Sequence, residues 1–264
     1  MENQTTTENR KHKDSLFVDY FSKDRDWKHH FLSLYNALHG TNLQVENTKL
    51  ERVNLEQVLY MDYYNDIAVM VNDQFILMIE HQSTINPNMP LRLLEYVTRI
   101  YGNRIDSKTK FSNQLIPLAK PEFFVFYTGN QDLPSESYLY LSDAFPEDTS
   151  ENQLSDSELT LELVVKVCKI KGKEPSPIVS QCSDLDQYVQ FLKLIEQAKT
   201  TGMTEGGSNY ITVGGIRVYV SATQPTGART GDLWIGGWCK WLIYKQKQRI
   251  CGMRALNKVL LILQ

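Results

Sequence analysis

Apolar positions along the chain follow two periods. Ile67–Val71 and Phe75–Ile79 are continuous apolar runs bounded by polar residues, the pattern of strands buried on both faces. Asn72-Asp73 lies between them, and both side chains bond nearby backbone and tolerate positive φ, so the two runs predict a β-hairpin. Phe123–Thr128 reads as a further buried strand, Glu158–Ile170 alternates in part, and Arg52–Leu55 with Gln57–Leu59 suggests a short strand. Elsewhere the period is helical. From Ser15, with Asp14 as cap, Phe17, Tyr20, Phe21, Trp27, Phe31, Leu34, Tyr35 and Leu38 recur every three or four positions. Asp24-Arg25-Asp26 is a candidate break in that helix, and Gly40 is its stop. A second helix starts at Asn88 or Met89 with Pro90 in its first turn, and its apolar face is Leu93, Leu94, Val97, Ile100, Tyr101 and Ile105. Arg92, Tyr96 and Arg99 share another face of it. Asp184–Lys199 is a third, amphipathic helix, and Asn130–Ser157 is polar and acidic and reads as loop. Helix, hairpin, helix and strand in this order predict an α/β fold with a mixed β-sheet flanked by helices.

Composition changes the picture at Thr201. Nine of the fourteen glycines lie between Gly202 and Gly237, and beyond Glu205 a single acidic residue, Asp232, faces eight Lys and Arg. Gly206-Gly207-Ser208 reads as a linker, Ile211–Val213 and Ile216–Val220 as a hairpin about Gly214-Gly215, and Lys240–Gln264 as a basic helix. Three regions follow: a disordered tail over 1–13, an α/β domain over 14–200, and a small β-rich, basic appendage over 201–264. The net charge of −3 provides no global basic field, so nucleic-acid binding has to rest on a local groove. The four cysteines are widely spaced, which signals neither a zinc nor a redox motif and suits reduced thiols in a cytoplasmic protein. No apolar run approaches the roughly 20 residues that span a bilayer, so no membrane association is expected.

The candidate chemistry sits at the open end of the central hairpin. Folding about Asn72-Asp73 brings Asp66 opposite Glu80, where Cβ atoms of directly paired residues lie roughly 4.5–5.5 Å apart. Gln82, two residues on, shares the face of Glu80. Converging carboxylates beside a core repel each other unless a divalent cation neutralises them, and oxygen ligands suit Mg²⁺. The alternative is two solvated strand ends. Arg92, at the start of the following helix, offers a bidentate fork for a phosphate. His29, His30 and His39 lack carboxylate or cysteine partners at ligand spacing and read as solvated or packed.

Asp66, then Glu80-His81-Gln82, resembles the D…E-x-Q variant of the PD-(D/E)XK nuclease superfamily. More narrowly, Asn65–Ala68, Ile79–Thr84, Asn86–Tyr96, the opening His12–Phe17 and the strand Pro121–Gly129 resemble the Rpn family of recombination-promoting nucleases, also described as transposases. The similarity runs from about His12 to about Ala198. It implies a restriction-endonuclease-like core and a metal-dependent DNA endonuclease serving recombination or transposition of mobile DNA. It further implies Mg²⁺, with Mn²⁺ as a substitute, held by Asp66, Glu80 and the backbone carbonyl of His81. Gln82 would stand where the general motif has Lys, Arg92 and Arg99 would contact DNA, and Asp14 is the candidate acidic residue of the first helix. DNA is the implied partner, and a homodimer is left open. The rival class is a catalytically degenerate nuclease fold acting as a DNA-binding or phage-derived assembly module, since Gly231–Ile235 and its surroundings are similar to short β repeats of phage tail and fibre proteins.

Overall fold

The computed structural model describes residues 17–53, 66–145, 161–200, 202–205, 208–213, 216–220, 233–235 and 242–243. The expectations for the N-terminal tail, Asp14, Gln57–Leu59 and nearly all of the basic C-terminal stretch lie outside these residues. Two compact units emerge, 42–178 and 1–41 with 179–264.

The 42–178 unit is built on a six-stranded sheet. Its strands are β1 (Leu50–Arg52), β2 (Asp66–Val71), β3 (Phe75–Gln82), β4 (Lys120–Tyr127), β5 (Glu136–Tyr140) and β6 (Val164–Lys169). The spatial order is β1-β2-β3-β4-β6-β5. β1, β2 and β3 pair antiparallel, β3, β4 and β6 pair parallel, and β5 returns antiparallel at the edge. This is a mixed sheet flanked by helices, as a restriction-endonuclease-like core requires.

The central hairpin forms for the reason its sequence suggests. Asn72 and Asp73 adopt φ of 51° and 56°, the left-handed pair that a tight turn matching strand twist demands. Lys49 clasps that turn: its backbone N–H donates to Asn72 Oδ1 at 2.9 Å, and its Nζ reaches Asp73 at 2.7 Å. β3 lies between β2 and β4, and Ile76, Leu77, Met78 and Ile79 are fully buried, which is why both of its faces are apolar. Helix α1 (Trp27–His39) precedes the sheet in sequence, and α2 (Met89–Arg104) follows the hairpin. α2 lays Met89, Leu93, Tyr96, Val97 and Ile100 on the sheet face that carries Met70, Met78, Val125 and Val167. Each such aliphatic side chain contributes roughly 1.5–3 kcal/mol by leaving water. Tyr96, which helical period sets apart from the apolar face and beside Arg92 and Arg99, is 2% exposed because it turns onto this core.

Within the other unit, α3 (Ile178–Gln181) leads into α4 (Ser183–Thr200). The first apolar stretch breaks at Asp24–Asp26, as its charges suggest, into a π-turn over Asp19–Lys23 and α1, which stops at Gly40 with φ of 62°. Phe17 meets Phe21 and Tyr188 at ring-centroid distances of 4.9 and 5.4 Å, so this stretch packs on α4. A second sheet contains β7 (Met203–Glu205), β8 (Ser208–Val213), β9 (Ile216–Val220), β10 (Leu233–Ile235) and β11 (Leu242–Ile243), in the order β11-β10-β9-β8-β7.

Two expectations are corrected. The polar stretch 130–157 contains β5, whose Tyr138 and Tyr140 alternate as an edge strand's do and are half exposed. β7 and β8 pair antiparallel, with Glu205 opposite Ser208; the linker read at Gly206-Gly207 lies outside the described residues. Leu242-Ile243, within the stretch expected to form a basic helix, instead pairs antiparallel with β10 at the edge of this sheet. β8 and β9 also pack on α4.

Candidate active site

β2 and β3 pair in the register that sets Asp66 against Glu80. Asp66 is described through this pairing. Glu80 and Gln82 share the sheet face with Met78, the face that α2 covers, and His81 points to the opposite face and is buried. The His81 backbone passes between the two, as a carbonyl ligand would need.

Glu80 is a buried carboxylate, with its side chain 3% exposed. Its Oε1 accepts from Arg92 Nη2 at 2.9 Å, and its Oε2 accepts from Gln82 Nε2 at 2.8 Å. Pro90 in the first turn of α2 starts the helix where Arg92 can reach the end of β3. Arg92 also donates through Nη2 to Tyr96 Oη at 3.1 Å and through Nη1 to Met89 Sδ at 3.3 Å. Gln82 Nε2 meets the same sulfur at 2.8 Å, while Gln82 Oε1 is buried without a hydrogen-bond partner. A buried acceptor left in that state costs about 1–3 kcal/mol.

The site lies at the C-terminal ends of the parallel strands β3 and β4, the usual location of functional groups in such sheets. The ends are tied together: the Thr128 N–H donates to Gln82 O at 2.8 Å. Gly129 follows, and a Cβ there would run into the Ser83 carbonyl oxygen and the Tyr127 ring. Neither Gly129 nor Tyr96 stood out as a site residue. The signal for Tyr96 was its spacing of four from Arg92; Gly129 had none beyond its place after a strand.

Arg99 is placed elsewhere. It pairs with Glu95 on the exposed side of α2, two turns from Arg92, about 10 Å along the axis. The histidines pack or reach solvent: His39 stacks on Tyr35 at 4.1 Å, His29 is exposed, and His30 Nδ1 meets Asp184 Oδ1 at 2.5 Å. The described side chains, of which Asp66 is not one, include no cluster of three or more His, Cys, Asp or Glu placed to hold a metal. Burial pushes the Cys168 thiol up to about 11 and raises Cys182 as well, so neither is a ready nucleophile. A cavity of about 390 Å³ lies at the opposite, turn end of the hairpin, among Met70, Asp73, Tyr101, Arg104 and Leu118.

The donor set tests favourably for a hard cation. Glu80 offers carboxylate oxygens, Gln82 offers a buried amide oxygen that lacks a partner, and Asp66 is registered across from them. To bind one, Glu80 has to exchange a contact with Arg92 or Gln82.

A mixed sheet with an acidic hairpin end beside a helix-borne arginine defines an α/β protein of nuclease-like architecture. Residues 32–203 match the family described as "Putative transposase, YhgA-like", and the chain belongs to that family. No curated protein and no solved structure matches the chain. Among the described residues no helix is long and apolar enough to cross a membrane.

Proposed function

We propose that this protein is a Mg²⁺-dependent DNA endonuclease, with Mn²⁺ as a substitute, that cuts phosphodiester bonds in the movement of mobile DNA. The observation that carries this reading is the cross-strand pairing of Asp66 with Glu80 at the end of β3, with Gln82 beside them, in a chain of a transposase family. Asp66, Glu80 and the His81 carbonyl would hold the cation, which when bound supplies an activated water and offsets charge on the phosphate. Gln82 orients: its Nε2 fixes the Glu80 carboxylate, and its Oε1 is available to a water or an incoming donor. As an amide it brings no positive charge, whereas Arg92, bonded to Glu80, sets a cation beside the site. Arg99 would contact DNA farther along α2.

The Glu80–Arg92 pair is already neutral without a cation, and this favours a second reading, a degenerate nuclease fold that binds DNA or assembles without cutting it. One assay separates the two: purified full-length protein, plasmid and linear DNA, with Mg²⁺ or with EDTA. Cleavage with Mg²⁺ alone is expected, and Asp66→Ala or Glu80→Gln lowers its rate at least about a hundred-fold while the protein stays folded, since each removes a charged ligand and Glu80→Gln keeps the buried volume at the end of β3. A folded variant of either kind that cuts at the parent rate rules out this site.

A further inference from the structure

Arg92 occupies the place where two demands on Glu80 meet. Its Nη2 holds Glu80 Oε1 at 2.9 Å and Tyr96 Oη at 3.1 Å, and its guanidinium carbon lies 5.8 Å from the Tyr96 ring centroid. Tyr96 is 2% exposed and fixed in the core, whereas the Arg92 side chain is 24% exposed and reaches the surface. A divalent cation on Glu80 would carry the same sign of charge as Arg92 and compete for the same oxygen, and like charges at such range repel in a poorly solvated site.

We infer that Arg92 is an exchangeable counter-charge: it neutralises Glu80 in the absence of a cation and, anchored by Tyr96, turns to a DNA phosphate when a cation takes the carboxylate. This rests on the proposed function and adds to it a positioning role for Tyr96 and an order of events. Arg92 is the group that couples the two ligands. Cation binding frees its charge for DNA, and by reciprocity a phosphate that draws Arg92 away strengthens cation binding. The planar fork suits this exchange, because carboxylate and phosphate present the same bidentate geometry to it.

The test uses the full chain and readouts other than cleavage. Calorimetry measures Mg²⁺ binding without DNA for the parent, Arg92→Gln, Tyr96→Phe and, as a control, Arg104→Gln, a cation on the same helix that pairs with Glu51. Arg92→Gln is expected to bind Mg²⁺ roughly ten-fold more tightly than the parent, because a charge-assisted hydrogen bond no longer competes for Glu80. Tyr96→Phe is expected to shift the affinity in the same direction by about two- to three-fold, through the loss of the single hydrogen bond that anchors the guanidinium on Tyr96 Oη. Arg104→Gln leaves it unchanged. In parallel, affinity for a duplex oligonucleotide is compared in Ca²⁺ and in EDTA. The parent gains at least about ten-fold from Ca²⁺, and Arg92→Gln loses most of that gain. Equal or weaker Mg²⁺ binding by Arg92→Gln, or an undiminished Ca²⁺ gain, overturns the exchange. If Arg92→Gln does not fold, Tyr96→Phe decides, and unchanged Mg²⁺ affinity in that variant overturns it equally. A parent that binds no Mg²⁺ instead removes the cation reading itself, so the two failures are distinct.

Discussion

The two ends of the central hairpin carry ion pairs of nearly equal length and opposite physical character. At the turn, Lys49 meets Asp73 at 2.7 Å with side chains 61% and 56% exposed. At the open end, Arg92 meets Glu80 at 2.9 Å with side chains 24% and 3% exposed. An exposed pair contributes about 0–1 kcal/mol, because water screens it and two long side chains must be ordered. A buried carboxylate loses several kcal/mol of hydration and recovers it only if its lone pairs are fully bonded. Glu80 has donors on both oxygens, yet the Gln82 amide beside it has an oxygen with none. The turn end is arranged for folding. The open end holds polar groups that folding alone does not call for.

Substitution of Gln82 breaks this comparison most sharply. Gln82→Glu sets a carboxylate where the amide now donates to Glu80 at 2.8 Å, so two like charges face each other near a phosphate. Cleavage should fall by at least about ten-fold, the factor that corresponds to roughly 1.4 kcal/mol. Gln82→Lys reverses the sign of the added charge and should lose less. Steady-state kinetics in Mg²⁺ that place the Glu variant level with the parent would take Gln82 out of the mechanism.

Gly129→Ala probes the same end through packing. The added methyl has no room between the Ser83 carbonyl and the Tyr127 ring, and backbone cannot swing aside as a flexible side chain can. A loss of about 1–3 kcal/mol is expected, the usual cost of overpacking, with weakened cleavage as the ends of β3 and β4 shift. Urea denaturation gives the stability directly. Parent-like stability would show that the strand ends are loosely joined.

What could be read from sequence follows the range of the forces involved. The hairpin was legible because Asn72-Asp73 is local turn chemistry and the apolar runs beside it have equal length, which leaves one register, Asp66 against Glu80. Arg92 was legible as a site residue because Pro90 marks a helix start just after β3. Its bond to Glu80 was not, since a guanidinium serves carboxylate and phosphate alike. The burial of Tyr96 was missed because face assignment by helical period does not say how far a core extends around the helix. β5 was hidden in a polar stretch, since an edge strand needs only one covered face. The bond between His30 and Asp184 joins residues 154 apart, beyond any local pattern.

Acid stability sharpens the contrast by bringing in carboxylates whose bonds are structural. Burial alone would raise the Asp184 carboxyl, but hydrogen bonds from His30, Ser33 and Tyr20 outweigh it and hold it below its ordinary 3.8. Burial likewise works against Glu136, and the bonds from Lys166 and Ser176 bring it below its ordinary 4.5. Both groups are depressed in the folded state. Their contribution is therefore complete above the ordinary carboxyl range and is lost as pH falls through the folded values. The melting temperature should hold steady near neutrality and decline below about pH 4.5, and Asp184→Asn should flatten part of that decline. A parent whose melting temperature does not change between about pH 5 and pH 3 would show that these bonds hold no differential energy.

The smallest effect is expected at the turn. Lys49→Ala removes Nζ from Asp73 but leaves the Lys49 N–H on Asn72 Oδ1 and the Asn72 N–H on Lys49 O, both at 2.9 Å. What disappears is an exposed ion pair, so the loss should stay under about 1 kcal/mol and shrink further in high salt. Cleavage should not change. Asn72→Ala is the harder test of the same turn, because it removes the Oδ1 acceptor and puts a residue without local hydrogen bonding at φ of 51°. That strain is worth about 1–2 kcal/mol. The turn's contribution thus resides in backbone conformation and hydrogen bonds, and its charges are incidental. Denaturation midpoints in low and high salt, with cleavage rates alongside, check the ranking of the two variants. If Lys49→Ala cost several kcal/mol or slowed cleavage ten-fold, the turn charges would be coupled to the site at the far end of β3, and the division between a structural end and a chemical end would fail.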